Sequence, residues 1–289
     1  MTDTTGDEAT YSYEPFTRHS FYAEVNRALV RRAVDLLQEP ADGDSLALVD
    51  LGCGTGAVTR MVAEEVRRRR IRATITGIDP SAAALEVAER RLSESPDAGV
   101  RFLRADVAGF ADLAPVDAVF FCNAIHLVRD KDDVLEQVGQ ALVPRGLVAM
   151  NSAFSTGAYA PGTERFYRLW TARAMRHLRR AHPDVRLARG TAPTMDWLAP
   201  EDYEALLRGH GFEVIHCSLD EAHMTLESFR DIGRYSLFIE GALPGAPLDA
   251  GADALGVGAG EAFAELGLDF VPRRWLQLIA TKDAASPRG

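Results

Sequence analysis

A handful of residues at fixed places along the chain carry chemistry that a ligand has to complete. In "LVDLGCGTGAVTR", Asp50 closes an apolar run, and Gly52, Gly54 and Gly56 follow at alternate positions. Glycines let a backbone come close to a ligand, and a helix N-terminus behind them favours a negative group. Asp50 repels a pyrophosphate and welcomes an ammonium. Together these features suit a ligand with ammonium and carboxylate at one end. Asp79, in "ITGIDPS", stands 23 residues beyond Gly56. A carboxylate at a strand tip there accepts both hydroxyls of a ribose, and Pro80 offers an apolar edge to a base. Asp106, in "FLRADV", is an acceptor for an exocyclic amino group, and "VFFCNAIHLV" puts Asn123 and His126 beside the reacting end. The sum is a nucleoside joined to an amino acid, the outline of S-adenosylmethionine.

These positions need strand tips to carry them. Apolar spacing predicts a first amphipathic helix over Phe21–Leu37. Strands follow over Leu46–Leu51, Ala73–Ile78, Val100–Leu103, Ala118–Phe121 and Gly146–Asn151. Helices separate them at Ala57–Arg70, Ser81–Leu92, with Ser81 as N-cap, and Asp132–Leu142. Apolar strands alternating with helices indicate a parallel sheet covered on both faces. After Ser152 the rhythm stops. A long helix is predicted over Thr163–Ala181, a helix-turn-strand up to Leu219, and a helix over Glu227–Glu240. The Gly- and Ala-rich stretch from 241 to 260 reads as loose chain, and Trp275–Thr281 is the last strand. Residues 152–200 and about 222–260 read as additions forming a lid at the ligand edge of the sheet.

"VDLGCGTG", "GIDPS", "RADV" and the tip of the fourth strand, in that order, resemble the motifs of class I S-adenosylmethionine-dependent methyltransferases. The resemblance covers residues 20 to 151, and "EDYEALLRGHGFEVI" with the final strand resembles the closing elements of that fold. It implies an α/β, Rossmann-like, doubly wound sheet of seven strands with the last antiparallel, here with a helical lid insertion. The domains expected are a flexible segment 1–20, the cofactor-binding core 21–151, the lid 152–200, the rest of the core sheet with a further helical insertion 201–283, and a tail 284–289. The resemblance also assigns the cofactor, S-adenosyl-L-methionine with S-adenosyl-L-homocysteine as product. Asp50 and the loop Gly52, Cys53, Gly54, Thr55, Gly56 hold its methionine part. Asp79 holds the ribose, Pro80 lies at the base, and Asp106 with Val107 holds the adenine. Asn123 and Tyr22 complete the cofactor set, Tyr22 from an aromatic group with Tyr11, Tyr13 and Phe16. The Cys53 thiol itself reads as a bystander.

His126 is the catalytic candidate, because imidazole removes protons near neutral pH. The plain alternative is a packing histidine. The expected reaction is methylation of a small molecule, on oxygen in preference to carbon or nitrogen, in a specialised-metabolite pathway. Two rivals stand beside it. A non-methylating reaction such as a cyclisation would use the same cofactor motifs. An NAD-dependent oxidoreductase needs G-x-G-x-x-G, which the G-x-G-x-G spacing and Asp50 oppose.

Charge narrows the partners. With Lys+Arg 32 against Asp+Glu 42, net −10, nucleic acid is not expected as a partner. No apolar run reaches the roughly 18–20 residues of a membrane span, and the acidic N-terminus does not read as a targeting signal. Cys53, Cys122 and Cys217 are too scattered for disulfides or a metal site, which fits the cytoplasm. Glu164 to Gly190 holds eight arginines against two acids. That surplus would suit an anionic or carrier-protein-bound substrate, or a solvated helix. A homodimer is a further expectation.

Overall fold

Strand β1 (Leu46–Leu51) is buried at five of its six positions and β4 (Val116–Cys122) at six of seven. Strands covered on both faces belong inside a parallel sheet. β1 pairs in parallel with β2 (Ala73–Asp79) on one side and β4 on the other. β3 (Val100–Arg104) extends β2, and β5 (Leu142–Ser152) extends β4. β7 (Val271–Lys282) runs antiparallel to β5, from Leu147↔Thr281 to Ser152↔Leu276. With β6 (Phe212–Met224) at the edge, the seven-stranded order is β3-β2-β1-β4-β5-β7-β6. The winding reverses between β1 and β4, the point at which such sheets place a ligand beyond the carboxyl ends of the strands.

The computed structural model describes residues 12–38, 44–93, 99–106, 113, 115–188 and 197–284. They divide into two compact units. The sheet unit comprises the described residues within 24–155, 198–220 and 275–284. Its core joins Val49, Leu51, Val119, Phe121 and Val148 to Leu135 and Val138 of helix α5 (Lys131–Ala141), all 2% exposed or less. Helices α3 (Ala57–Arg68) and α4 (Ala82–Ser93) follow β1 and β2, and α7 (Pro200–Gly209) precedes β6.

The helical unit comprises the described residues within 12–23, 156–197 and 221–274. A short helix α1 (Glu14–Thr17) precedes α2 (Ser20–Leu36), which leads on into the sheet unit. The expected helix over 227–240 is two, α8 (Leu226–Ile232) and α9 (Ser236–Ala242), parted at Gly233. The stretch read as loose is mostly the helix α10 (Leu248–Leu266). Its glycines, which argue against a helix by propensity, serve packing. A Cβ on Gly258 would lie 2.6 Å from the backbone N of Ala174 and 2.9 Å from the carbonyl oxygen of Trp170, both on α6 (Glu164–Ala181). Trp170 Nε1 donates to the Leu255 carbonyl at 2.8 Å across the same contact.

These two helices make a paired prediction. Gly256 has nothing within 4 Å of its would-be Cβ. Gly256→Ala should therefore stabilise by roughly 0.5–1 kcal/mol, the helix-propensity gain. Gly258→Ala gains the same propensity but forces two backbones apart, at about 1–3 kcal/mol. Thermal unfolding should move up for the first and down for the second. Equal shifts would remove the close-packing account. Among the described residues, no helix is long and apolar enough to cross a membrane.

Candidate cofactor and active site

The β1–α3 turn is built from left-handed glycines, with φ of +69° at Gly52, +52° at Gly54 and +76° at Gly56. Each has its own reason. A Cβ on Gly52 would lie 2.8 Å from Ala124 Cβ, beyond β4, and one on Gly56 would lie 3.0 Å from Ala88 Cβ on α4. At Gly54 a Cβ would meet nothing within 4 Å, so that stretch of backbone is open to a ligand. Cys53 N–H donates to the Ile78 carbonyl at 2.9 Å, which ties the turn to the tip of β2.

Asp79 is the clamp. Its Oδ2 accepts Gly54 N–H at 2.8 Å, and its Oδ1 accepts Ser81 N–H at 2.9 Å. One carboxylate thus holds the glycine turn against the start of α4. Ser81 Oγ in turn accepts Ala84 N–H at 3.2 Å as the helix cap. Burial raises the Asp79 pKa above the carboxylate norm, and the two N–H bonds oppose that rise. A carboxylate offers about four lone-pair positions, and these two bonds use half of them.

Asp50 sits deeper, at 1% exposure. Its Oδ2 accepts Thr59 Oγ–H at 2.6 Å. Burial pushes its pKa up from 3.8 to about 7; the Thr59 bond lowers it, and the charge of Asp79 adds to the rise. A carboxylate poised between its two forms is one that a nearby ammonium would hold charged. The residues present therefore fit the amino-acid end of the expected cofactor. The Cys53 thiol is buried, and desolvation with Asp50 and Asp79 beside it drives its pKa far up. A thiol that stays protonated is no nucleophile. Thr55 lies against α4, with its hydroxyl and carbonyl 3.3 and 3.4 Å from Arg91 Nη1.

The tip of β4 carries Asn123 at φ +55°, a backbone that asparagine tolerates better than most residues. Its side chain is engaged internally. Nδ2 donates to Asn26 Oδ1 at 3.1 Å, and Trp275 Nε1 donates to its Oδ1 at 3.0 Å. Asn151 Nδ2 shares the Asn26 oxygen at 3.0 Å, and Asn151 Oδ1 accepts the Asn123 N–H at 3.1 Å. The Asn123 amide thus fixes the strand tip. His126 follows on a single 3₁₀ turn, Ile125–Leu127, at 4% exposure. Its Nδ1 lies 3.1 Å from Ser152 Oγ, which also accepts Phe154 N–H at 2.9 Å. The Phe154 ring lies against the imidazole, with centroids 4.3 Å apart.

The remaining candidates are spread out. Asp106 is exposed two residues past β3, and Pro80 is exposed past β2. Val107 and Tyr11 lie outside the described residues. Tyr22 belongs to the helical unit; it is 4% exposed, with its ring 6.0 Å from Tyr13 and 6.1 Å from Phe16. The arginine-rich helix α6 spends two of its cations on α10: Arg176 reaches Glu261 at 2.5 Å, and Arg173 pairs with Glu265. Thr59, Ser152 and the Asn26–Asn151 pair escape a reading of motifs. A hydroxyl in the first turn of the helix after the acid-bearing strand was the available signal for Thr59.

Residues 49–148 match the family model described as a methyltransferase domain. That segment is similar to the methyltransferase domain of class I, S-adenosylmethionine-dependent enzymes. The chain is also similar to the trans-aconitate 2-methyltransferase of Sinorhizobium fredii, 35% identical over 130 residues, 45% of this chain and 47% of that protein. The malonyl-[acyl-carrier protein] O-methyltransferase of Halalkalibacterium halodurans is 34% identical over 152 residues, 50% of this chain and 51% of that protein. The chain thus spans about half the length of the curated relatives it matches. In fold it is similar to phosphoethanolamine N-methyltransferase 2 of Haemonchus contortus, solved with S-adenosylhomocysteine. The TM-score is 0.54 at 19% identity, over 96% of this chain and 57% of that one.

Proposed function

We propose that this chain transfers the methyl group of S-adenosylmethionine to an oxygen of a small organic acid. The observation that carries the reading is the Asp79 clamp, which sets a left-handed, open glycine beside a buried carboxylate at the tips of adjacent strands. The acid as acceptor is supported by two relatives named for trans-aconitate and for a malonyl thioester. Both of those compounds carry carboxylates.

When bound, the cofactor supplies the methyl group as an electrophile. The chain's own residues hold and align. Asp50 takes the ammonium, the open backbone at Gly54 lies along the methionine part, and the remaining lone pairs of Asp79 take the ribose hydroxyls. Asp106 takes the adenine amino group. Alignment of this kind is worth up to about 7–11 kcal/mol of barrier. A carboxylate acceptor is already ionised near neutral pH, so His126 takes no proton from it; with Ser152 Oγ–H donating to its Nδ1, its Nε2–H donates to the acceptor and holds the attacking oxygen. The additions at 152–200 and 222–260 lie beyond the matched segment, and we assign acceptor choice to them. Three free thiols, Cys53, Cys122 and Cys217, suit a reducing cytoplasm.

The test is calorimetry with S-adenosylhomocysteine, followed by labelled-methyl transfer to a panel of organic acids. A base-labile methyl ester is the expected product. No binding by the folded chain would end the reading. Binding without transfer to any acceptor would favour a non-methylating reaction on the same site. His126→Ala should slow turnover by about ten- to a hundredfold, the loss of one hydrogen bond to a charged group, and leave S-adenosylhomocysteine affinity unchanged. Unaltered turnover would leave the imidazole a packing group.

A further inference from the structure

Helix α3 begins at the glycine turn and runs out into "VRRRRIR", Val66 to Arg72. Its end is closed by two backbone bonds: Ile71 N–H donates to the Val66 carbonyl at 2.9 Å, and Arg70 N–H to the Arg67 carbonyl at 3.0 Å. A cap of this kind needs one left-handed residue, and here that residue is Arg70, at φ +60°. Glycine usually takes the position, because a side chain in that conformation crowds its own backbone. The chain keeps an arginine there despite the cost. Strain retained at a surface turn points to use of the side chain that causes it.

The arginines of this run divide by what they meet. Arg68 pairs with Glu65 at 2.6 Å, and Arg69 pairs with Glu65 at 2.8 Å and with Asp35. Arg70 and Arg72 are exposed, and neither guanidinium has an ion pair or hydrogen bond among the described residues. Both line a cavity of about 580 Å³ at the amino ends of β2 and β3, the opposite end of the sheet from the glycine turn. Val66, Ile71, Ile75 and Val100 supply its apolar wall, and no acid lines it. Every lining residue belongs to the sheet unit. Cations also suit a helix C-terminus, but Arg67 and Arg68, in the last turn, already meet that need. Arg70 and Arg72 lie beyond it. The volume suits a small organic molecule. A phosphate monoester carries about −1.5 to −2 charge at pH 7 and three acceptor oxygens, which answers two guanidinium groups. Inorganic phosphate would leave the apolar wall unused.

We propose that this cavity is a binding site for a phosphate monoester with an apolar body. Arg70 and Arg72 take the phosphate, and Val66, Ile71, Ile75 and Val100 take the body. The site is separate from the cofactor residues and does not rest on the methyltransferase reading.

The experiment is calorimetry on the full chain with 1-naphthyl phosphate, 1-naphthol and inorganic phosphate as probes, each with and without S-adenosylhomocysteine. The ester should bind at least about tenfold tighter than either of the other two, since charge and apolar body both contribute. S-adenosylhomocysteine should not displace it. The double variant Arg70→Gln/Arg72→Gln should weaken the ester at least about tenfold. Arg68→Gln, in the same run but engaged with Glu65, should leave it within about twofold. Arg70→Gly parts use from structure. It relieves the left-handed backbone, so the unfolding midpoint should hold or rise, while the ester binds several-fold less well. A folded chain that does not bind the ester would overturn the site. So would ester affinity unchanged in the double variant or in Arg70→Gly, or an equal loss in Arg68→Gln. Binding of 1-naphthol or inorganic phosphate as tight as that of the ester, or its displacement by S-adenosylhomocysteine, would do the same.

Discussion

Asp79→Ala should weaken S-adenosylmethionine and S-adenosylhomocysteine by at least about a hundredfold. Two hydroxyl bonds to a charged carboxylate are worth roughly 3 kcal/mol or more together, which is a factor of about 100 or more in Kd. A second loss adds to the first. The same carboxylate accepts Gly54 N–H and Ser81 N–H, so removing it frees the glycine turn as well as the ribose. Asp79→Asn separates the two. Its side-chain oxygen still accepts one of those N–H groups, while its NH₂ faces the other donor. Calorimetry on both variants, with unfolding midpoints alongside, measures the effect. If Asp79→Ala binds S-adenosylhomocysteine as the parent does, the acid is only a structural clamp and the ribose is held elsewhere.

The first four strand tips were legible because each pairs a run of apolar residues with a local signal a few positions away. Leu46–Leu51 runs into three glycines, and "GIDPS" puts an acid and a helix cap at the end of β2. What the motif does not say is that Asp79 holds the glycine turn. That bond spans 25 residues and depends on strand order. Polar contacts between distant segments were illegible for the same reason. Asn123 meets Asn26 97 residues away and Trp275 152 residues away, and nothing local marks either partner. The α10 helix was misread because its glycines were weighed by propensity. Gly258 is there because a backbone passes where its Cβ would stand, a fact that belongs to α6.

Asp50 should make both stability and cofactor affinity depend on pH, with opposite signs. Its carboxyl titrates near 7 in the fold and near 3.8 as an ordinary aspartate, chiefly through burial. Between those values the folded chain keeps a proton that the unfolded chain has released. Stability is then greatest at low pH and falls as pH rises through the window, by up to about 1.4 kcal/mol per pH unit from this group. Above about 7 the loss is complete and the curve flattens. Asp79 is also raised and contributes in the same direction, so the test is the difference made by Asp50→Asn. That variant keeps an oxygen for the Thr59 hydroxyl and removes the titration. It should unfold later than the parent at pH 8 and differ little from it at pH 4. Ligand binding runs the other way. An ammonium beside Asp50 favours its charged form, so at pH 6 binding of S-adenosylhomocysteine releases a proton, and affinity climbs towards pH 7 before levelling. Titrations in buffers of different ionisation heat would count that proton directly. An affinity and heat independent of pH in the parent, and matched by Asp50→Asn, would show that the buried acid serves the fold alone and that the amino-acid end of the cofactor is held by backbone.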